Sequence, residues 1–164
     1  MIHDRTSAPT IRWLLNIWPP FLFQGVRVRS LDSDFRSAKV DVKSTILTRN
    51  IMGTTFGGAM MAAADPFLPI LYWRSLVSEG HSLNVWLRSM EADFLIPADQ
   101  DVRLHFVVTP QQLDKAREGI LGAGRVDLVD VVEAVLSSGE VAARFRVISS
   151  LRNRSSGSSP LTGS

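Results

Sequence analysis

Gly53 to Phe67 reads GTTFGGAMMAAADPF, which sets two kinds of reactive group close together: paired glycines at 57 and 58, and a single acid, Asp65, directly before Pro66. If a helix begins near Thr55, the backbone N–H groups of its first turn have no internal acceptor. Glycines at 57 and 58 then remove the side chains that would screen them. A thioester or carboxyl oxygen placed there would meet free donors and the positive end of the helix dipole. In such an oxyanion hole one donor is worth about 3 kcal/mol of barrier. The same glycines also allow helix and sheet to approach closely, and a lone Gly-Gly pair does not choose between the two roles.

Asp65 carries the same ambiguity. An Asp before Pro is the pattern of a helix start, with the carboxylate capping free N–H groups and Pro66 at the first helical position. Pro66 also disfavours helical backbone at Asp65, which predicts a broken or bent helix. The alternative is an Asp65 turned into a partly apolar cleft, where burial raises its pKa and makes it a usable general base. Around this stretch, Arg49, Asn50 and Arg88 are of the types that meet phosphates or an acyl carbonyl, or are simply solvated. Met60, Met61, Trp73 and Trp86 suit a core, or in the case of the methionines an adaptable acyl tunnel. His105 shares a strand face with Arg103.

The totals narrow the chemistry. A chain of 164 residues is expected to form one domain over residues 1–150, large enough to bury roughly 70% of its unfolded surface. It has no cysteine, which excludes a thiol nucleophile, disulfides and thiolate metal sites. Its histidines, His3, His81 and His105, show no ligand spacing, so neither a metal nor another cofactor is expected. Net charge is +2. No interleaved basic and aromatic patch suggests nucleic acid. The end of the chain, Ser/Gly-rich and basic from Ser149 onward, predicts a disordered tail, bounded as residues 151–164. The N-terminus lacks the order of a signal peptide, and the most apolar run, Ala59 to Trp73, is too short and too interrupted to cross a bilayer. A soluble, cytoplasmic protein is expected.

The surrounding elements follow from periodicity. Ile11, Leu14, Leu15 and Trp18 make one stripe of a short helix, with Ser7 as its cap and Pro19 and Pro20 as its stop. Val26 and Val28, then Ala38, Val40 and Val42, alternate with charged residues as in two strands joined by a turn over Asp32 to Asp34. A loop over Ser44 to Thr54 leads into the glycine stretch and an apolar segment ending near Val77, too long for a strand. Extended character resumes over Leu83 to Pro97 and Val102 to Val108. Thr109 and Gln112 have capping-box spacing, with Pro110 at the first helical position and Leu113, Ala116 and Ile120 as the buried stripe. Two more strands surround "SSG". Strands grouped about one central helix indicate an α+β fold, an antiparallel sheet wrapped around a long helix.

The combination NIMGTTFGGAMMAAADPF resembles the hotdog-fold acyl-CoA thioesterases of the phenylacetate-pathway type. Those enzymes carry Asn, Gly and then His-Gly-Gly opening the long helix, with an acid nine residues after the His. Asn50, Gly53, Phe56-Gly57-Gly58 and Asp65 fall in that register. The chain is still more similar to a branch of that superfamily known as a domain of unknown function, in WPPF (Trp18 to Phe21), in Arg49-Asn50, in FGG followed by DPF, and in DFLIP (Asp93 to Pro97). The similarity spans about residues 10 to 150. It implies a hotdog fold, a dimer or dimer of dimers, and a site between protomers. There the amides of Gly57 and Gly58 would polarise a thioester carbonyl and Asp65 would activate water or attack directly. Asn50, Gly53, Phe56, Arg49 and Met61 would line the substrate. Phe56 stands where the thioesterases have His. An acyl or acyl-CoA binding protein without catalysis is the alternative.

Overall fold

The computed structural model describes Asp4 and residues 6–154. Ser7 caps α1 (Ala8–Ile17), its Oγ accepting from the Thr10 amide. Ile11 and Leu15 are buried, whereas Trp18 falls at the helix end and is 47% exposed. Pro19 and Pro20 do more than stop α1, because they open a short second helix, α2 (Pro19–Phe23). A proline lacks the N–H that a first helical turn would leave unused, so it ends one helix and begins the next at no cost. On its other side α1 closes the edge of β1 (Val26–Leu31): Asn16 accepts from the Val28 amide at 2.9 Å and donates to the Val28 carbonyl at 3.1 Å.

The turn over Asp32 to Asp34 returns the chain into β2 (Ser37–Val42), antiparallel to β1. After the 44–56 loop come α3 (Gly57–Ala64) and α4 (Phe67–Ser78), which form one apolar helical segment interrupted at Asp65 and Pro66. The strands β3 (Leu83–Phe94) and β4 (Val102–Val107) follow, then α5 (Pro110–Ala123), β5 (Arg125–Leu136) and β6 (Val141–Asn153). The six strands form a single sheet in the order β1-β2-β4-β5-β6-β3, with every pair antiparallel. Both halves of the broken helix carry buried residues toward this sheet. Phe67 of α4 lies 5.0 Å, ring centre to ring centre, from Phe106 of β4.

The capping box on α5 forms as its spacing requires, with Thr109 and Gln112 each bonding the other's backbone. Gly124 ends that helix in the left-handed conformation, at φ 69°. The serine-rich end is a correction to the sequence reading. β6 runs on through Ser149 to Asn153, because Leu151 is fully buried and pairs with Val85 and Val126, and Asn153 donates to the Ile120 carbonyl. One buried leucine and two neighbouring strands outweigh a polar local composition. Residues 155–164, the remainder of the expected tail, lie outside the described residues. No described helix is long and apolar enough to cross a membrane.

Candidate active site

The loop before α3 is held by its own side chains. Asn50 accepts from the amides of Met52 at 2.9 Å and Thr54 at 3.2 Å, and donates to the Thr54 hydroxyl at 3.0 Å. Gly53 has φ 78°, a conformation in which a side chain would be strained. Asn50 and Gly53 therefore shape the turn. Beyond it, the Thr55 amide donates to the Ala98 carbonyl and the Phe56 amide to the Thr48 carbonyl, both at 2.7 Å. These bonds fix where the helix begins, at Gly57, two residues later than the spacing suggested.

Neither the Gly57 nor the Gly58 amide has an acceptor among the described residues. Gly57 opens on a cavity of about 540 Å³ walled by Met52, Met60, Phe94, Leu95 and Ile96, with Asn50, Thr54 and Thr55 at its polar end. Glycine lets the Phe94 ring close over this position: a Cβ at 57 would lie 2.8 Å from Phe94 Cζ, at the far end of a half-exposed side chain. At 58 a Cβ would lie 2.3 Å from Phe56 Cε1, so the Phe56 ring lies over Gly58, and neither residue is on the cavity wall. Beside Gly57, the Thr55 hydroxyl is buried and makes no hydrogen bond.

Asp65 does not cap α4. It closes α3, with φ −60° and ψ −64° still in the helical region and its amide donating to Met61, while Pro66 stands at the N-cap of α4 with no side-chain cap. The capping alternative is thereby corrected, as is the expected loss of helical backbone at Asp65. Missing the Pro66 N–H is enough to break the ladder without moving Asp65 out of it. Asp65 is exposed in the single chain, its carboxylate has no hydrogen-bond or ion-pair partner among the described residues, and desolvation by the protein around it raises its pKa. It is not on the wall of the cavity at Gly57. Eight helical residues at about 1.5 Å each separate the two by roughly 12 Å.

Of the remaining candidates, Arg49 is exposed, donates to the Ser44 hydroxyl and stays off that wall. Met61 packs against the core while its neighbour Met60 faces the cavity. Arg88 pairs with Asp127 on β5. His105 does share its face with Arg103, and bonds Ser37 at 3.2 Å. Among the described residues no cluster could hold a metal ion. Sequence reading missed the buried Asp130, whose carboxylate accepts from Tyr72 on α4 and Gln112 on α5. It also assigned no binding role to Phe94, Leu95 and Ile96, although it singled out the DFLIP run that contains them.

No curated protein matches the chain. Among solved structures, it is similar to a protein of unknown function from Pseudomonas aeruginosa described as a probable thioesterase, with TM-score 0.80, 18% identity, and coverage of 91% of this chain and 97% of that one. A protein of unknown function from Chlorobaculum tepidum superposes with TM-score 0.73 at 11% identity, over 93% of this chain and 100% of the other. A thioesterase from Haemophilus influenzae gives TM-score 0.65 at 13% identity, over 93% and 96%. At these identities the likeness is one of fold. Residues 8–150 match the family described as Domain of unknown function (DUF4442), and the chain belongs to that family.

Proposed function

We propose that the chain is a hotdog-fold thioester hydrolase acting on acyl-CoA or a similar thioester in the cytoplasm, as a homodimer or a dimer of dimers. The observation that carries this reading is the unpartnered amide of Gly57 on the wall of an apolar cavity, with the unpartnered amide of Gly58 next to it in the first turn of α3, under the Phe56 ring. The carbonyl oxygen accepts from these donors, which become stronger partners as negative charge develops on it. The cavity walls take the acyl group.

Asp65 is the base. Its separation from Gly57 along the helix, roughly 12 Å, is more than one scissile carbonyl spans, which supports setting Asp65 of one protomer against Gly57 of another. The carboxylate removes a proton from water, the hydroxide adds to the carbonyl carbon, and the tetrahedral intermediate expels the thiolate. That leaving group takes back the proton that Asp65 holds. Phe56 in place of His leaves the backbone donors intact. Pairing through β3 is supported by the contrast between the sheet's two edges, since Asn16 covers β1 while β3 presents twelve residues with a free outer edge. Residues 1–150 are read as a single domain, which one cluster of buried hydrophobic residues supports.

Subunit mixing tests the composite site. Gly57→Pro removes a donor at a position where proline suits a helix start, and Asp65→Asn removes the base. Each variant alone should be nearly inactive, whereas exchanged heterodimers should regain about a quarter of wild-type thiol release, one intact site in half the dimers. No recovery would put both groups in one protomer, and no thiol release from wild type would refute the hydrolase itself. A second reading, a non-catalytic acyl binder, is favoured by one observation, the Phe56 ring lying over Gly58.

A further inference from the structure

In α1 the side that faces the protein includes polar residues, and part of the side that faces water is apolar. Arg12 donates to the Arg29 carbonyl and Asn16 holds Val28, both reaching to β1. Trp13 and Ile17, one turn apart, are 59% and 48% exposed. The pattern continues across Pro19 into α2, where Leu22 and Phe23 are exposed. It then passes to the 44–52 loop, which is seated against Gly25: a Cβ there would lie 2.8 Å from Thr48 Cγ2. Ile46, Leu47, Ile51 and Met52 of this loop are all largely exposed. Exposed apolar residues concentrated in two neighbouring segments mark a surface made for contact.

The charge pattern says with what. The chain has sixteen acidic residues, yet residues 6–31 and 42–64 contain none. Arg12, Arg27 and Arg49 lie in these segments, and none of them is ion-paired among the described residues. The carboxylates that adjoin these segments are already taken, Asp41 opposite Arg27 by Arg29 and Arg103, and Asp101 at the Ser44 amide by Lys43. Exposed rings and guanidiniums outside any ion pair, on segments with no acid of their own, match a phospholipid surface of negative charge: rings enter the acyl boundary and guanidiniums meet phosphate. A second copy seated face to face would set these cations against one another.

We propose that the α1–α2 hairpin and the 44–52 loop dock the protein on an anionic lipid bilayer. Met52 belongs both to this surface and to the wall of the cavity at Gly57, so a docked protein holds that cavity close to the lipid. The docking stands on the surface alone and holds whether or not the protein hydrolyses a thioester.

The test floats the full chain with vesicles of phosphatidylcholine, with or without about a third phosphatidylglycerol. Leu22→Ser/Phe23→Ser and Arg27→Gln/Arg49→Gln are run in parallel, and circular dichroism establishes that both are folded. The expected result is binding to the anionic vesicles only, with a blue shift of tryptophan emission and weakening by salt. Each double variant should reduce partitioning at least about tenfold. No binding to anionic vesicles at low salt overturns the proposal. So does binding that neither variant weakens, which would place it elsewhere on the chain. Loss of self-association in the Leu22/Phe23 variant without vesicle binding would overturn it too, by assigning the patch to a second copy.

Discussion

Gly57 sits so tightly beneath Phe94 that a single added methyl would come within 2.8 Å of the ring's Cζ and 3.1 Å of its Cε1. The residue that supplies a free amide is thus also the residue that lets an aromatic side chain wall the adjoining cavity. Gly57→Pro separates these roles from stability. Phe56 already has φ −60° and ψ 126°, the extended backbone that precedes proline comfortably, and the lost N–H had no acceptor. Thermal unfolding should shift little, because Phe94 is half-exposed and can swing aside. Turnover should fall by about a hundredfold to a thousandfold, as expected for one lost oxyanion donor. Steady-state thiol release beside a melting curve checks both.

As the proposed base, Asp65 carries a prediction for the pH dependence. Desolvation raises its pKa, and a base works only when ionised. Thiol release should therefore rise with pH along an acid limb displaced above the ordinary carboxylate range, and the limb should be absent from residual activity in Asp65→Asn. The stability sign is opposite. A group that holds its proton more tightly when folded favours the fold below its unfolded pKa, and that contribution is lost as pH rises through the folded value. Asp65→Asn should therefore be at least as stable as wild type at neutral pH, which a denaturant titration measures.

The Tyr72 hydroxyl donates to both oxygens of Asp130 at 3.1 Å, and Tyr72 is fully buried. Burial raises the Asp130 pKa, and the hydrogen bonds from Tyr72 and Gln112 hold the rise in check. Tyr72→Phe should cost about 1–3 kcal/mol, the usual penalty for stripping a partner from a buried polar group. It should also push the Asp130 pKa further up. The stability lost between the ordinary carboxylate pKa and that raised value then grows, so the variant should be more strongly destabilised at neutral pH than near pH 4. Urea unfolding at the two pH values checks the sign.

Legibility in the sequence followed the range of the forces involved. Strands with one wet face declared themselves by alternation, as Val40 and Val42 do on β2, and α5 by its cap and stripe, since each signal lies within a few residues. What failed was decided from far along the chain. Ser149 to Asn153 read as tail because nothing nearby reveals that Leu151 is buried between Val85 and Val126. Asp130 went unremarked because Tyr72 and Gln112 reach it only in the fold. At the candidate site, the register of glycines and acid was visible in one short run, but the wall of Phe94, Leu95 and Ile96 comes from a strand some forty residues later. The choice of Met60 over Met61 for the cavity depends on helix rotation, which a run of small apolar residues leaves undetermined.

The most direct measurement is thiol release from a panel of acyl-CoA thioesters of different chain length, with wild type and Asp65→Asn compared at matched fold. The protein has no cysteine, so every thiol detected comes from substrate. The account predicts release by wild type that the folded Asp65→Asn protein lacks. Equal release by both would contradict Asp65 as the base. No release from any thioester, with thermal stabilisation by one of them, would contradict the hydrolase and leave an acyl-binding protein.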